Sequence, residues 1–207
     1  MAPGRDTRQR MLLSAVELLR ERGVAGVTVD AVLQRSGAPR GSVYHHFPGG
    51  RAQLVGDALD LAGESMTALI EGASGDGAEQ ALRRFAAFWT GVLRESDYGA
   101  GCPIVSVAVG GSPDDARFRQ AAARTMERWR EVLAAAMVAD GHAPRAAASL
   151  ATMAIASIEG AIILCRVERS VEPLEDVIGH LEALVSTGRR PTAGGNAGTR
   201  SRRPAPR

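Results

Sequence analysis

The run from Thr28 to Arg51, TVDAVLQRSGAPRGSVYHHFPGGR, decides how the chain reads. Thr28 is a good N-cap, and a short helix is expected over roughly 28–35. Val27 before the cap and Val32 at the fourth helical position are spaced for a hydrophobic staple. Ser36-Gly37-Ala38-Pro39 interrupts that helix. Gly37 permits a left-handed turn, and Pro39 suits the start of a new helix. The new helix is short, about 40–46, and stops at Pro48-Gly49-Gly50.

Upstream, Leu12, Ala15, Val16 and Leu19 recur at i, i+3, i+4 and i+7, one apolar face of a helix over 6–22. Gly23 and Gly26 end it. Three helices near 6–22, 28–35 and 40–46 make a trihelical unit, and a short glycine-containing turn joins the last two. This is the helix-turn-helix pattern, spanning about 28–47. In that motif the second helix lies in the DNA major groove. Its wheel can be sorted. Val43 and Phe47 project together toward a core, while Gly41 and His45 point the other way. Arg40, Ser42 and Tyr44 flank the outer face, with His46 nearer its edge. A guanidinium, a hydroxyl, a phenol and imidazoles there can donate to phosphates or base edges. Gly41 lets the backbone approach closely. Arg51, opening a fourth helix, is placed for a phosphate. Arg35 either reaches a phosphate or is simply exposed.

The 207 residues are 45% hydrophobic, 23% charged and 4% aromatic, a globular composition. Two cysteines exclude a disulfide scaffold and make a reducing compartment the default. The net charge of +2 hides segregation. Residues 1–51 carry +4, 52–188 carry −8 and 189–207 carry +6, with every cation an arginine. A basic end on an acidic body suits a polyanionic partner. The apolar run Ser149 to Cys165 is under 18 residues and carries Glu159, so no membrane segment is expected. Met11 to Leu19 contains Glu17, reads as amphipathic and does not read as a secretory signal. These features together predict a cytoplasmic protein. Further helices are expected over 51–72, 78–96, 103–109, 113–140, 144–169 and 173–187, and no strand pattern competes. The class is all-α, with residues 1–50 as a DNA-binding unit, 51–188 as a larger helical body, and 189–207 as a disordered Arg/Pro-rich tail.

Thr28 through Arg51 resembles the DNA-binding segment of TetR-type transcriptional repressors. The shared pattern is a Thr-started helix, a small residue then Gly37, a recognition helix with Val43-Tyr44, then His46-Phe47 and a cation opening the fourth helix. Arg51 stands where most relatives have Lys, and Pro48-Gly49-Gly50 lengthens the link before it. That longer link, with Gly101-Cys102-Pro103 downstream, resembles the LmrA/YxaF-like subgroup. The resemblance implies phosphate contacts from Thr28, Tyr44, His46 and Arg51. It implies base reading by Arg40, Gly41, Ser42 and His45, with Arg40 foremost because Arg to guanine is the commonest specific pairing.

The same resemblance implies a homodimer on a palindromic, double-stranded operator, with a small-molecule effector held in the larger body. Leu150, Ala154, Ile158, Val177, Leu181 and Leu184 lie on the two last apolar stripes and are expected at the dimer interface, or else in the protomer's own core. Phe85, Phe88, Trp89, Met126, Trp129 and Met153, together with Cys102, are candidates for the effector pocket, or else ordinary core. Ligand would then shift the fourth helix and change the spacing of the reading heads, releasing the operator.

Cys102 precedes Pro103 at a helix start, where the helix dipole lowers a thiol pKa, so a redox-sensing repressor is an alternative. A thiol hydrolase built on Cys102 with His142 or His180 is another, and no nucleophile elbow or phosphate loop supports it. His142 and His180 read as surface residues. Neither cysteine has metal-ligand spacing, and no metal or cofactor is implied. A third alternative is a DNA-binding dimer with no small ligand.

Overall fold

Thr28 begins the second helix as its chemistry dictates. It sits in extended conformation (φ −99°, ψ 156°), and its Oγ1 accepts from the Ala31 amide at 3.1 Å. That bond satisfies one of the amides orphaned at a helix start. Val27 and Val32 are both fully buried beside it, as a staple requires. At the far end Gly37 takes φ 64°, ψ 20°, a left-handed stop that is free of a Cβ penalty.

The computed structural model describes residues 3–74, 77–110 and 113–187, and among these it holds nine α-helices and no strand. They are α1 (Pro3–Gly26), α2 (Val29–Ser36), α3 (Ser42–His46), α4 (Gly50–Ser74), α5 (Ala78–Glu95), α6 (Pro103–Val109), α7 (Pro113–Ala139), α8 (Pro144–Glu168) and α9 (Glu172–Thr187). The tail expected at 189–207 lies outside the described residues. Gly23, at φ 65° and ψ −171°, breaks α1 where its end was expected. The third helix is shorter than the expected 40–46. Arg40 and Gly41 form a turn ahead of it, in which the Ser42 amide donates to the Pro39 carbonyl at 2.9 Å.

One core runs through the molecule. The long α4 packs on α1 at one end and on α5 and α7 further along, and α6 sits between α1 and α7. The loop before α6 is held from two sides. Arg169 at the end of α8 donates from Nη2 to Asp97 Oδ1 at 2.5 Å, and Arg166 donates to the Gly99 carbonyl at 3.0 Å. On the other side the Gly101 amide donates to the Arg20 carbonyl of α1 at 2.9 Å.

The structure corrects one sequence expectation here, the placing of His142 at the surface. The apolar stretch around Ser149–Cys165 belongs to a 25-residue helix, α8, which by length and hydropathy (1.8 over its best window) could cross a bilayer. It is packed instead between α7 and α9, with Ala147, Ala151, Ala154, Ile158 and Cys165 buried on one face. His142 is not at the surface. The left-handed Gly141 (φ 98°) turns the chain inward, His142 is 4% exposed, and its Nε2 lies 2.9 Å from the Val185 carbonyl of α9. His180 is exposed, as expected.

Candidate nucleic-acid interface and effector cavity

The outer side of α3 is built from below. Val43 and Phe47 are fully buried and seat the helix. Burial of side chains this size stabilises by about 1.5–3 kcal/mol each. With those two facing in, Arg40, Gly41, Tyr44 and His45 are exposed, and Ser42 and His46 are half-buried at the margin. The His45 and His46 rings meet edge to face at 4.8 Å. The Tyr44 ring leans toward the Pro48-Gly49-Gly50 link. A Cβ on Gly50 would lie 3.8 Å from its Cε1, and Gly50 itself takes φ 63°, a turn that glycine supplies without strain. Thr28 is exposed at the start of α2 with its hydroxyl oxygen accepting the cap bond, which leaves the O–H able to donate.

Arg51, expected at a phosphate, and Arg35, expected at a phosphate or simply exposed, both have partners within the protein. Arg51 donates from Nε to the Val27 carbonyl at 2.6 Å and from Nη2 to the Val24 carbonyl at 2.7 Å. It therefore fastens the α1–α2 connection to α4. Arg35 grips Glu21 with two bonds of 2.9 and 2.7 Å and lies 3.6 Å from Glu17. The Arg35 hydrogen bonds hold the Glu21 carboxyl below the usual carboxylate range. Sequence periodicity does not show which carbonyls or carboxylates a long guanidinium will meet once helices pack. Arg8 was missed for the same reason. Its Nη2 pairs with Asp57 of α4 at 2.7 Å, and its guanidinium covers the Phe47 ring at 5.1 Å. Arg8, Arg51 and Asp57 thus make α4 an extension of the reading head.

At the other end of α4, helices α4, α5, α7 and α8 enclose an apolar cavity. Phe85, Trp129, Leu133, Ile155, Ile158 and Glu159 are among its walls. Its free volume of about 20 Å³ has room for one water, so a larger occupant must part the helices. Of the expected pocket residues, Phe85 and Trp129 line it. The Trp129 indole N–H is already donated to Thr67 Oγ1 at 3.1 Å. Trp89 is buried in the core, edge-on to Phe85 and Phe88. Phe88 is half-buried beneath the Arg20 guanidinium at 5.6 Å, and Met126 packs half-buried against the core. Met153 does not line this cavity. It is 39% exposed on the opposite face of α8.

Cys102 lies outside this cavity, in the crevice where α1, α6 and α8 meet. Glu159 borders both spaces. Burial pushes the Glu159 carboxyl up to about 7, and a hydrogen bond with Cys102 offsets this in part. Burial, with the neighbouring Glu159 charge second, pushes the Cys102 thiol well above its ordinary value. This corrects the expectation of a thiol lowered by the α6 dipole, because desolvation of a fully enclosed sulfur outweighs the end of a two-turn helix. The redox and hydrolase alternatives both require a ready thiolate and are not favoured. His142 spends Nε2 on Val185, and His180 faces away on α9.

The six expected interface residues divide. Ala154, Ile158 and Leu181 are buried in the protomer's own core and are unavailable to a partner. Leu150 and Val177 are half-buried, and Leu184 is 46% exposed. α8 is apolar on two opposite sides, so its periodicity does not say which stripe faces in. The outer stripe is Met153, Gly160, Leu164 and Val167, with Ile163 at its edge.

Two family models match. Bacterial regulatory proteins of the tetR family match residues 12–58, and the C-terminal domain of LmrA/YxaF-like transcriptional regulators matches 78–180. An HTH-type transcriptional regulator of Mycobacterium tuberculosis is 42% identical over 183 residues, 86% of this chain and 93% of that protein. The crystal structure of a TetR transcriptional regulator from Chloroflexus aurantiacus is similar with TM-score 0.71 and 26% identity, covering 90% of this chain and 97% of that one. The TetR-family regulator CifR, solved as a cysteine mutant with 26-bp double-strand operator DNA, shares the fold at TM-score 0.69 and 18% identity, covering 84% and 94% of the two chains. The α3 face, the seating of α4 and these likenesses converge: the chain belongs to the TetR family of transcriptional regulators, with an LmrA/YxaF-like C-terminal part, and is a DNA-binding regulator rather than an enzyme.

Proposed function

We propose that this regulator is a repressor. It binds a palindromic operator as a homodimer, blocks polymerase at a nearby promoter in the cytoplasm, and is released by a small apolar or aromatic effector. The observation that carries the reading is the course of α4. Its first turns are bound to the reading head through Arg51 and the Arg8–Asp57 pair, and Ile70 near its end lines the apolar cavity. An occupant that parts α4 from α5, α7 and α8 moves the reading head with it. Ligand then favours a state whose two heads no longer match the operator spacing. Residues 1–50 serve as the reader and 51–188 as the effector and dimer body, with α4 crossing that boundary.

On the DNA, Arg40 and His45 read base edges with Gly41 and Ser42 at close approach, and Thr28, Tyr44 and His46 hold phosphates. Arg51 and Arg35 position the head rather than touch the duplex. For the dimer, the outer stripe of α8 and the exposed side of α9 at Val177 and Leu184 supply the contact. Large apolar side chains left exposed on one side of a helix suit an interaction surface.

The test is fluorescence anisotropy on DNA from upstream of the protein's own gene, near physiological salt with excess random competitor. Binding is expected to survive competitor in wild type and to weaken by about 1–3 kcal/mol in Arg40→Ala, with relaxed specificity. Equal affinity of both proteins for random and upstream DNA would overturn the assignment of α3 as the reader.

A further inference from the structure

The effector cavity is apolar on every side but one. Ile70, Leu82, Phe85, Leu133, Ile155 and Ile158 offer no polar group to an occupant, and the Trp129 N–H is already bonded to Thr67. The exception is Glu159, 8% exposed, on a helix face whose other buried residues are alanine, isoleucine and Cys165. Its Oε1 is buried with no hydrogen-bond partner. Among the described residues no arginine or histidine pairs with it, although this chain pairs Glu21, Glu71, Glu79 and Glu182 with arginine. Burying an unpaired carboxyl is costly, and an apolar side chain of similar size would fit the same wall without that cost. A buried acceptor with nothing to accept is explained when the donor arrives from outside.

We propose that the effector carries one ammonium group on an apolar, aromatic-sized body, and that Glu159 is its charge partner inside the α4–α5–α7–α8 cavity. The inference rests on the ligand-responsive reading given above and adds the chemical class of the ligand. The body fills the space that Phe85, Leu133 and Ile155 border. The ammonium donates to Glu159 Oε1, and the carboxyl gives up its proton to solvent if it holds one. A neutral body of the same shape gains the apolar contacts but leaves Oε1 with a weaker donor, and an anion meets a carboxylate. Because Glu159 also borders the α1–α6–α8 crevice, together with Cys102 at the foot of α6, its pairing with the ammonium is felt beside α1 as well.

Three matched probes test this on the full chain: phenethylamine, phenethyl alcohol and hydrocinnamate, titrated by calorimetry near pH 8 and again near pH 5.5, with release of bound DNA as a second readout. Wild type is expected to bind the amine at least about tenfold more tightly than the alcohol near pH 8, the size of one charge-assisted hydrogen bond. That advantage should shrink near pH 5.5 and vanish in Glu159→Gln, which keeps the shape and should keep the affinity for the alcohol. An amine with no advantage in wild type, or an advantage that survives in Glu159→Gln, overturns the role of Glu159. If the alcohol or hydrocinnamate still binds and releases DNA, the ligand-responsive reading stands without it. If none of the three binds or releases DNA, both fall.

Discussion

Arg51 Nε lies 2.6 Å from the carbonyl oxygen of Val27, so the cation that opens α4 is turned onto the α1–α2 connection. A second bond, to Val24 at 2.7 Å, makes the hold two-pronged. Lysine has one point charge where arginine has a planar fork, and it would not span both carbonyls in the same way.

Removal of this fork should therefore loosen the reader without removing a phosphate contact. Arg51→Gln is expected to cost on the order of 2 kcal/mol of folding stability, since buried carbonyls lose a charged donor. DNA affinity should fall too, but the slope of affinity against salt should hold. A slope shallower by about one ion would mean that Arg51 touches phosphate directly.

Glu159 sets a pH dependence whose sign follows from its environment. Burial raises its carboxyl from 4.5 to about 7, so between those values the folded state holds a proton that the unfolded state has released. The contribution is complete below pH 4.5 and is lost as pH rises through about 7, a swing on the order of 3 kcal/mol. Glu159→Gln, free of ligand, should melt at a higher temperature than wild type near pH 8.5 and at nearly the same temperature near pH 4.5. An equal shift at both pH values would point to packing rather than titration.

His142 bolts the α7–α8 turn to the last turn of α9 through Val185. His142→Ala leaves that carbonyl without its donor and opens a small void. The expected loss is roughly 2–3 kcal/mol in urea unfolding, with the m-value unchanged. A change under about 0.5 kcal/mol, ordinary for surface sites, would show that the side chain is not buried in solution.

Leu164 is 49% exposed at the centre of the outer α8 stripe. Leu164→Arg should leave the protomer folded by circular dichroism but shift its mass by light scattering from dimer to monomer, with operator affinity lost alongside. An unchanged dimer mass would place the interface elsewhere. The same change at Ile158, 3% exposed on the inner stripe, should instead unfold the chain.

Local chemistry alone was enough for the helices and for the reader. The Thr28 cap, the left-handed Gly37, the Pro103 start of α6 and the inward pair Val43 and Phe47 each depend on a few neighbours in sequence. Caps, turns and helical periodicity act over one or two turns, which is why they are readable without a fold. Arg40, Gly41, Tyr44 and His45 come out exposed for the same reason: on a short helix with two buried anchors, the opposite face has nowhere else to go.

Partner choice and burial were decided only when the helices packed. Arg51 and Arg35 are long enough to reach several acceptors, and which they meet depends on how α1, α2 and α4 lie against one another. α8 is apolar on two sides, so only its packing between α7 and α9 reserves Ile158 for the core and leaves Leu164 and Met153 outside. Cys102 looked like a thiol lowered by a helix end until tertiary contacts enclosed it beside Glu159 and reversed the direction of the shift. Glu159 in the sequence is one acid in an apolar run. Its meaning depends on the dielectric around it and on the partners within reach, and those are properties of the packed molecule.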